Sequence, residues 1–147
     1  MHNHSGCRFT SLIHEYTLED LAAFHGHLGP YIVLGYRIGR FARDTFCSDP
    51  FSMKVRVYCS GTPPESCIVD GIQLGSGCTL GKRNIEIVEG SPIRCEFISD
   101  GKLLSITPRP YTPPPRGDDY ERAIEDYAVG LFRESPEDLF TSQKRDI

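Results

Sequence analysis

Two short stretches gather the residue types that carry chemistry. Phe24-His25-Gly26-His27-Leu28-Gly29-Pro30 sets two imidazoles one residue apart, and Cys67-Ile68-Val69-Asp70-Gly71-Ile72-Gln73 is followed by Gly77-Cys78-Thr79-Leu80-Gly81-Lys82. Imidazole, thiolate and carboxylate are the ligands that borderline metals such as zinc prefer, so a divalent transition metal is one chemistry this set can support. Asp70 stands among Ile68, Val69 and Ile72, where a carboxylate is costly to bury unless it is paired or hydrogen-bonded. Residues two apart on a regular helix point to nearly opposite sides, so His25 and His27 share an ion only where the backbone breaks. Gly26, Gly29 and Pro30 permit that break. Two readings stand at this point: metal ligands, or a histidine that caps the last carbonyls of the preceding helix. Cys67 alone is equally at home as a small buried hydrophobe.

The glycine-rich run Gly75 to Lys82 invites comparison with a phosphate-binding loop and fails it. Ser76 stands where the first glycine belongs, Arg83 replaces the hydroxyl residue after the lysine, and the run follows a helix instead of a strand. What remains is an anion-binding nest with Lys82 as counter-charge, or a tight connection in which Lys82 is solvated. The connection has to return from the helix of Cys67 toward the sheet, so Thr79 and Lys82 are expected to face the same pocket as Asp70.

The elements that position these residues can be read in chain order. Thr17 caps a helix with Glu19 and Asp20 in its first turn, running through Phe24 and fraying near Gly26. Pro30 opens a second helix to about Phe46, in which Gly35 and Gly39 form a small-residue face. Met53 to Cys59 alternates as a half-buried strand. Thr62-Pro63-Pro64-Glu65 reads as a capping box for a helix that ends at Gly75, with Cys67 and Asp70 on one face. Asn84–Glu89, Ile93–Ile98 and Leu103–Thr107 read as strands, the last two joined by the turn Ser99-Asp100-Gly101-Lys102. The expected fold class is α+β, a mainly antiparallel sheet of about four strands with helices on one side. A proline-rich arm (108–117) then leads to a C-terminal helical segment (118–140), whose Tyr120, Ile124, Tyr127 and Leu131 form an apolar stripe. Such an arm docks its helix either on its own chain or, as its stiffness suggests, on a second subunit.

With 147 residues, 39% of them hydrophobic, the chain is expected to form one domain spanning 1–147. A net charge of −4 with scattered Lys and Arg gives no basic footprint for nucleic acid. The N-terminal stretch with His2, His4 and Cys7 has no apolar run behind it, and no segment is long enough to span a membrane, so a cytoplasmic location is expected. The six cysteines contain no CxxC pair, which argues for reduced thiols and against a zinc ribbon.

The two motifs, with Leu34-Gly35-Tyr36-Arg37 after the first and Asn84 closing the second, resemble the FmdE family, whose name records its association with formylmethanofuran dehydrogenase genes. The resemblance implies an α+β core forming an intertwined homodimer around a polar pocket able to hold a metal, zinc above all. It points to His25, His27 and Cys67 as metal ligands. Asp70, Lys82 and Cys78 become the reactive groups, and Gln73, Thr79, Lys82 and Asn84 the contacts to a small-molecule ligand. Many members carry a cysteine where this chain has Gly29, which removes one thiolate. Some also carry a C-terminal zinc-binding domain, and no cysteine follows Cys95 here. The expected function is a metal-binding protein that binds or processes a small ligand, linked to one-carbon or molybdenum/tungsten enzyme metabolism. Its rivals are a non-catalytic accessory component of a larger dehydrogenase and a thiol redox protein using Cys67 and Cys78.

Overall fold

The computed structural model describes residues 15–147; His2, His4 and Cys7 lie outside the described residues. The first described element is α1 (Leu18–His25), which Thr17 caps as expected, in a full capping box with Asp20. Thr17 Oγ1 accepts from the Asp20 amide at 3.1 Å and Asp20 accepts from the Thr17 amide at 2.9 Å. Gly26, at φ +105°, ends the helix in the left-handed conformation that glycine adopts without a steric penalty. The second helix, α2 (Pro30–Thr45), starts on its proline.

A strand, β1 (Lys54–Cys59), leads through a 3-10 turn (Glu65–Cys67) into α3 (Ile68–Ser76). The capping box expected at Thr62 does not form. Glu65 turns back to accept from the Ser60 amide at 2.6 Å, and the residue before a proline is biased away from helix, so the helix proper waits until Ile68. Gly75 does not end α3 either; Gly77 does, at φ +81°.

The glycines explain how the two helices meet. A methyl on Gly35 would overlap the Ile68 carbonyl, and one on Gly71 would overlap that of Ile32. A methyl on Gly39 would fall 2.7 Å from the Ser76 amide nitrogen, and Gly75 lies against Tyr36 and Gly39. Rising numbers on α2 meet rising numbers on α3, so the helices run parallel at backbone contact. The remaining faces of α2 are also covered. Leu34, Ile38 and Ala42 join the core over the sheet, while Ile32, Val33 and Tyr36 pack with Leu21 of α1 and with Ala128 further along.

The sheet continues with β2 (Ile85–Glu89), β3 (Arg94–Ser99), β4 (Lys102–Pro108) and β5 (Phe140–Asp146), in the order β2-β1-β3-β4-β5. It is a mixed sheet of five strands, which corrects the expected four. β2 pairs with β1 in parallel, because the chain crosses over through α3 and returns in the same direction. The other three ladders are antiparallel. In the β3–β4 hairpin Asp100 and Gly101 both take positive φ, as a two-residue turn of this kind requires. β5 escaped the sequence reading because only Phe140 of its seven residues is buried. Its exposed Lys144 and Arg145 mark it as an edge strand.

Between β4 and β5 the chain forms α4 (Tyr120–Arg133) and the short α5 (Pro136–Leu139). The arm before α4 turns back within its own chain: Tyr111 meets Tyr31 edge-to-face and Tyr127 at a tilt, at ring-centroid separations of 5.7 and 4.6 Å. Arg37 of α2 then fixes the end of α4, donating to the carbonyls of Leu131 and Phe132 at 2.9 Å each. α4 therefore covers α2 and not the sheet.

The glycine contact makes a sharp prediction. Gly35→Ala should cost at least about 2 kcal/mol in denaturant unfolding, because the added methyl has no room. Gly130→Ala on α4, where nothing lies within 4 Å of the new methyl, should stabilise by roughly 0.5–1 kcal/mol. A Gly35→Ala protein as stable as the parent would show that the helices do not meet this way.

Candidate functional site

Because α2 and α3 run parallel, the segments leading into them, 26–29 and 65–67, arrive at the same end of the pair. α1 ends over that point. His25, its last residue, places Nδ1 2.7 Å from Oδ2 of Asp70, in the first turn of α3. The His25 side chain is 13% exposed and that of Asp70 38%, so the pair is sheltered yet reachable. This answers the question of what a carboxylate does among Ile68, Val69 and Ile72: it pairs with an imidazole from the other motif. A carboxylate accepts, so the contact puts a hydrogen on Nδ1, and in the neutral ring Nε2 then holds the lone pair.

His27 is exposed, with its ring centroid 5.4 Å from that of His25. A β-carbon at position 29 would come within 3.0 Å of Cε1 of His27. Gly29 therefore gives the ring room to lie over the start of α2. Cys67 is half-buried, and burial first, then the Asp70 carboxylate, push its thiol above the ordinary range. At neutral pH it is a protonated thiol, and acting as nucleophile or ligand requires loss of that proton. Among the described residues no three His, Cys, Asp or Glu side chains are gathered so as to hold a metal ion. The fit to a metal is thus partial. His25 has the carboxylate support that a ligating imidazole normally has, but His27 and Cys67 do not close a set around it.

The remaining candidates sit one turn or more further along α3. Gln73 accepts from the Leu80 amide through Oε1 at 2.9 Å. Thr79 caps the 3-10 turn Leu80–Lys82 and accepts from Lys82 Nζ at 3.2 Å. Asn84 pins the loop from below: its Oδ1 accepts from the Thr79 amide, and its Nδ2 donates to the carbonyls of Pro50 and Met53. Cys78 lies fully buried in the core and its thiol donates to the Met53 carbonyl at 3.6 Å. Burial pushes that thiol up to about 11, against the lowering influence of Ser76 and Lys82. Gln73, Thr79 and Lys82 line an open cleft of about 440 Å³; Asp70 is not part of its wall. The expectation that Lys82 and Asp70 face one pocket gives way to two places, Asp70 in the first turn of α3 and Lys82 in the loop beyond its end. The cleft also takes in Phe24 and Arg43. Neither was among the expected site residues, since nothing in the sequence spacing ties the end of the first helix to the last turn of the second.

Residues 24–141 match the family described as "FmdE, Molybdenum formylmethanofuran dehydrogenase operon". The chain belongs to the FmdE family. An alignment of 69 positions, covering 42% of this chain, is 32% identical to a protein of Archaeoglobus fulgidus named "Probable S-adenosyl-L-methionine-binding protein", and it spans 18% of that relative's length. Among the described residues no helix is long and apolar enough to cross a membrane.

The environment of Cys67 can be tested by alkylation. The rate at Cys67 should be low at neutral pH and rise as the pH climbs past the ordinary thiol value. Asp70→Asn, by removing a negative charge that disfavours the thiolate, should raise the neutral-pH rate at this residue. Site-resolved mass spectrometry reads both effects. A slower or unchanged rate in Asp70→Asn would contradict the placement.

Proposed function

We propose that this FmdE-family chain is a homodimeric, ligand-processing protein of formylmethanofuran dehydrogenase-linked one-carbon metabolism in the cytoplasm, with Nε2 of His25 as its working atom. The single observation that carries this reading is the His25–Asp70 contact of 2.7 Å. A carboxylate on Nδ1 orients the ring and supports positive charge on it, which is how an imidazole is prepared to take a proton. His27, at the exposed side of the same end, would contact the bound molecule. The cleft with Gln73, Thr79 and Lys82 would hold its distal part, and Cys78 and Asn84 would keep the loop in shape.

A divalent metal, zinc first among them, is the second reading, favoured by the same carboxylate-supported imidazole. His25, His27 and Cys67 would then be the donors, and the ion would supply Lewis acidity. In the third reading the protein acts as an accessory component docked on a larger dehydrogenase, which the family's operon description favours. The homodimer is supported by the two sheet edges, β2 and β5, and by the 44% exposure of Ile87 on β2.

One set of proteins tests these readings together. In a host strain lacking the gene, the wild-type chain should restore formylmethanofuran dehydrogenase activity to extracts, and His25→Asn and Asp70→Asn should each fail to do so while keeping the parent's melting temperature. Sedimentation should show a dimer for all three. Cobalt(II) added to metal-free protein should give a thiolate charge-transfer band, lost in Cys67→Ser, only under the metal reading. Full restoration by both His25→Asn and Asp70→Asn would overturn the assignment of the working atom, and a monomer would remove the dimer.

A further inference from the structure

The cleft beside α3 has a one-sided chemistry that the His25–Asp70 pair does not explain. Among the described residues its charged side chains are Arg43 and Lys82, and no carboxylate lines it, in a chain whose 20 acidic residues outnumber its 16 lysines and arginines. Lys82 Nζ is engaged by Thr79 Oγ1 at 3.2 Å, a neutral acceptor that positions the ammonium without cancelling its charge. Neither cation forms a salt bridge among the described residues. Gln73 is held by its oxygen, which accepts from the Leu80 amide, so its Nε2 hydrogens are left as donors. Gly77 lies between Pro50 and Arg43: a β-carbon there would come within 2.7 Å of Pro50 Cβ and 3.3 Å of an Arg43 terminal nitrogen. Phe24 and Leu80 line the same cleft and are 53% and 72% exposed, so apolar surface lies beside the donors.

The geometry points to an anion-headed small molecule as the occupant: a carboxylate or phosphate held between Arg43 and Lys82, with Gln73 donating, and an aromatic or aliphatic body resting on Phe24 and Leu80. A guanidinium fork and an ammonium recognise such groups through charge-assisted hydrogen bonds. The volume of about 440 Å³ is that of a small-molecule site. Phe24 precedes His25, and Gln73 stands one turn beyond Asp70, so a ligand anchored here extends its free end toward the imidazole. This deepens the proposed function and rests on its cleft, but not on any chemistry at His25.

Phenyl phosphate is a suitable probe, followed by amide shifts in ¹H–¹⁵N spectra of the full chain. It should move the amides of Leu80, Gly81 and Lys82 saturably. Phenol should bind more weakly for want of charge, and inorganic phosphate for want of an apolar body. Benzoate in place of phenyl phosphate distinguishes a carboxylate head from a phosphate head by affinity. The double variant Arg43→Gln/Lys82→Met should weaken binding about tenfold or more, and added salt should weaken the parent's binding but hardly affect what remains in the variant. Leu80→Glu, at an exposed position that the fold does not need, should abolish binding by placing a carboxylate at the mouth. His25→Asn should bind the probe like the parent, which separates a failure here from a failure of the acid–base reading. Absence of saturable shifts around Leu80–Lys82, or shifts unaltered by both the double variant and Leu80→Glu, would overturn the inference.

Discussion

Everything distinctive about this fold depends on two helices meeting at backbone contact. Gly35 and Gly39 on α2 face Gly71 and Gly75 on α3, each one turn apart, and side chains at these positions would occupy space already filled by the facing backbone. Contact this close gives dispersion attraction along the whole seam without long side chains to order. It also fixes direction. Because the helices run parallel, both motifs arrive at one end, and the chain leaving α3 must enter the sheet parallel to β1. The mixed sheet and the meeting of His25 with Asp70 therefore follow from one packing constraint.

At the near end of the pair, the polar chemistry solves a burial problem. Asp70 sits beside Ile68 and Ile72, both fully buried, and its partner comes from a different element, so the carboxylate is satisfied only when α1 is docked. The same contact leaves Nε2 of His25 with its lone pair on a sheltered ring. Beyond α3, the loop that returns to β2 is tethered by the side chains of Gln73, Asn84 and Thr79 as well as by its own backbone hydrogen bonds. Among the described residues neither Lys82 nor Arg43 forms a salt bridge, which gives the cleft its sign.

The sequence was legible where one local rule dominated. Thr17 and Asp20, Pro30, and Asp100-Gly101 act over three or four residues, and the helix starts and the hairpin turn appear where they were expected. Family motifs carried the link between His25 and Asp70 as members of one pocket, although their 2.7 Å contact is a product of packing. What failed were signals whose meaning is tertiary. Gly75 looks like a helix stop and is a contact with α2; the stop is Gly77. Glu65 looks like half of a capping box and instead turns back to Ser60. β5 shows no alternation because almost nothing on it is buried, so only its pairing with β4 reveals it. Arg43 and Phe24 were not among the expected site residues, since a cleft between elements has no period in the sequence.

The most direct test of this account is the tautomer of His25, read from imidazole ¹⁵N spectra at about pH 8, above the ordinary imidazole value. If α2–α3 packing delivers Asp70 to Nδ1, the parent protein should show His25 as the Nδ1–H form with a bare Nε2, and Asp70→Asn should lose that preference while the backbone spectrum stays the same. A parent protein whose His25 carries its hydrogen on Nε2, or whose His25 signals do not change in Asp70→Asn, would contradict it.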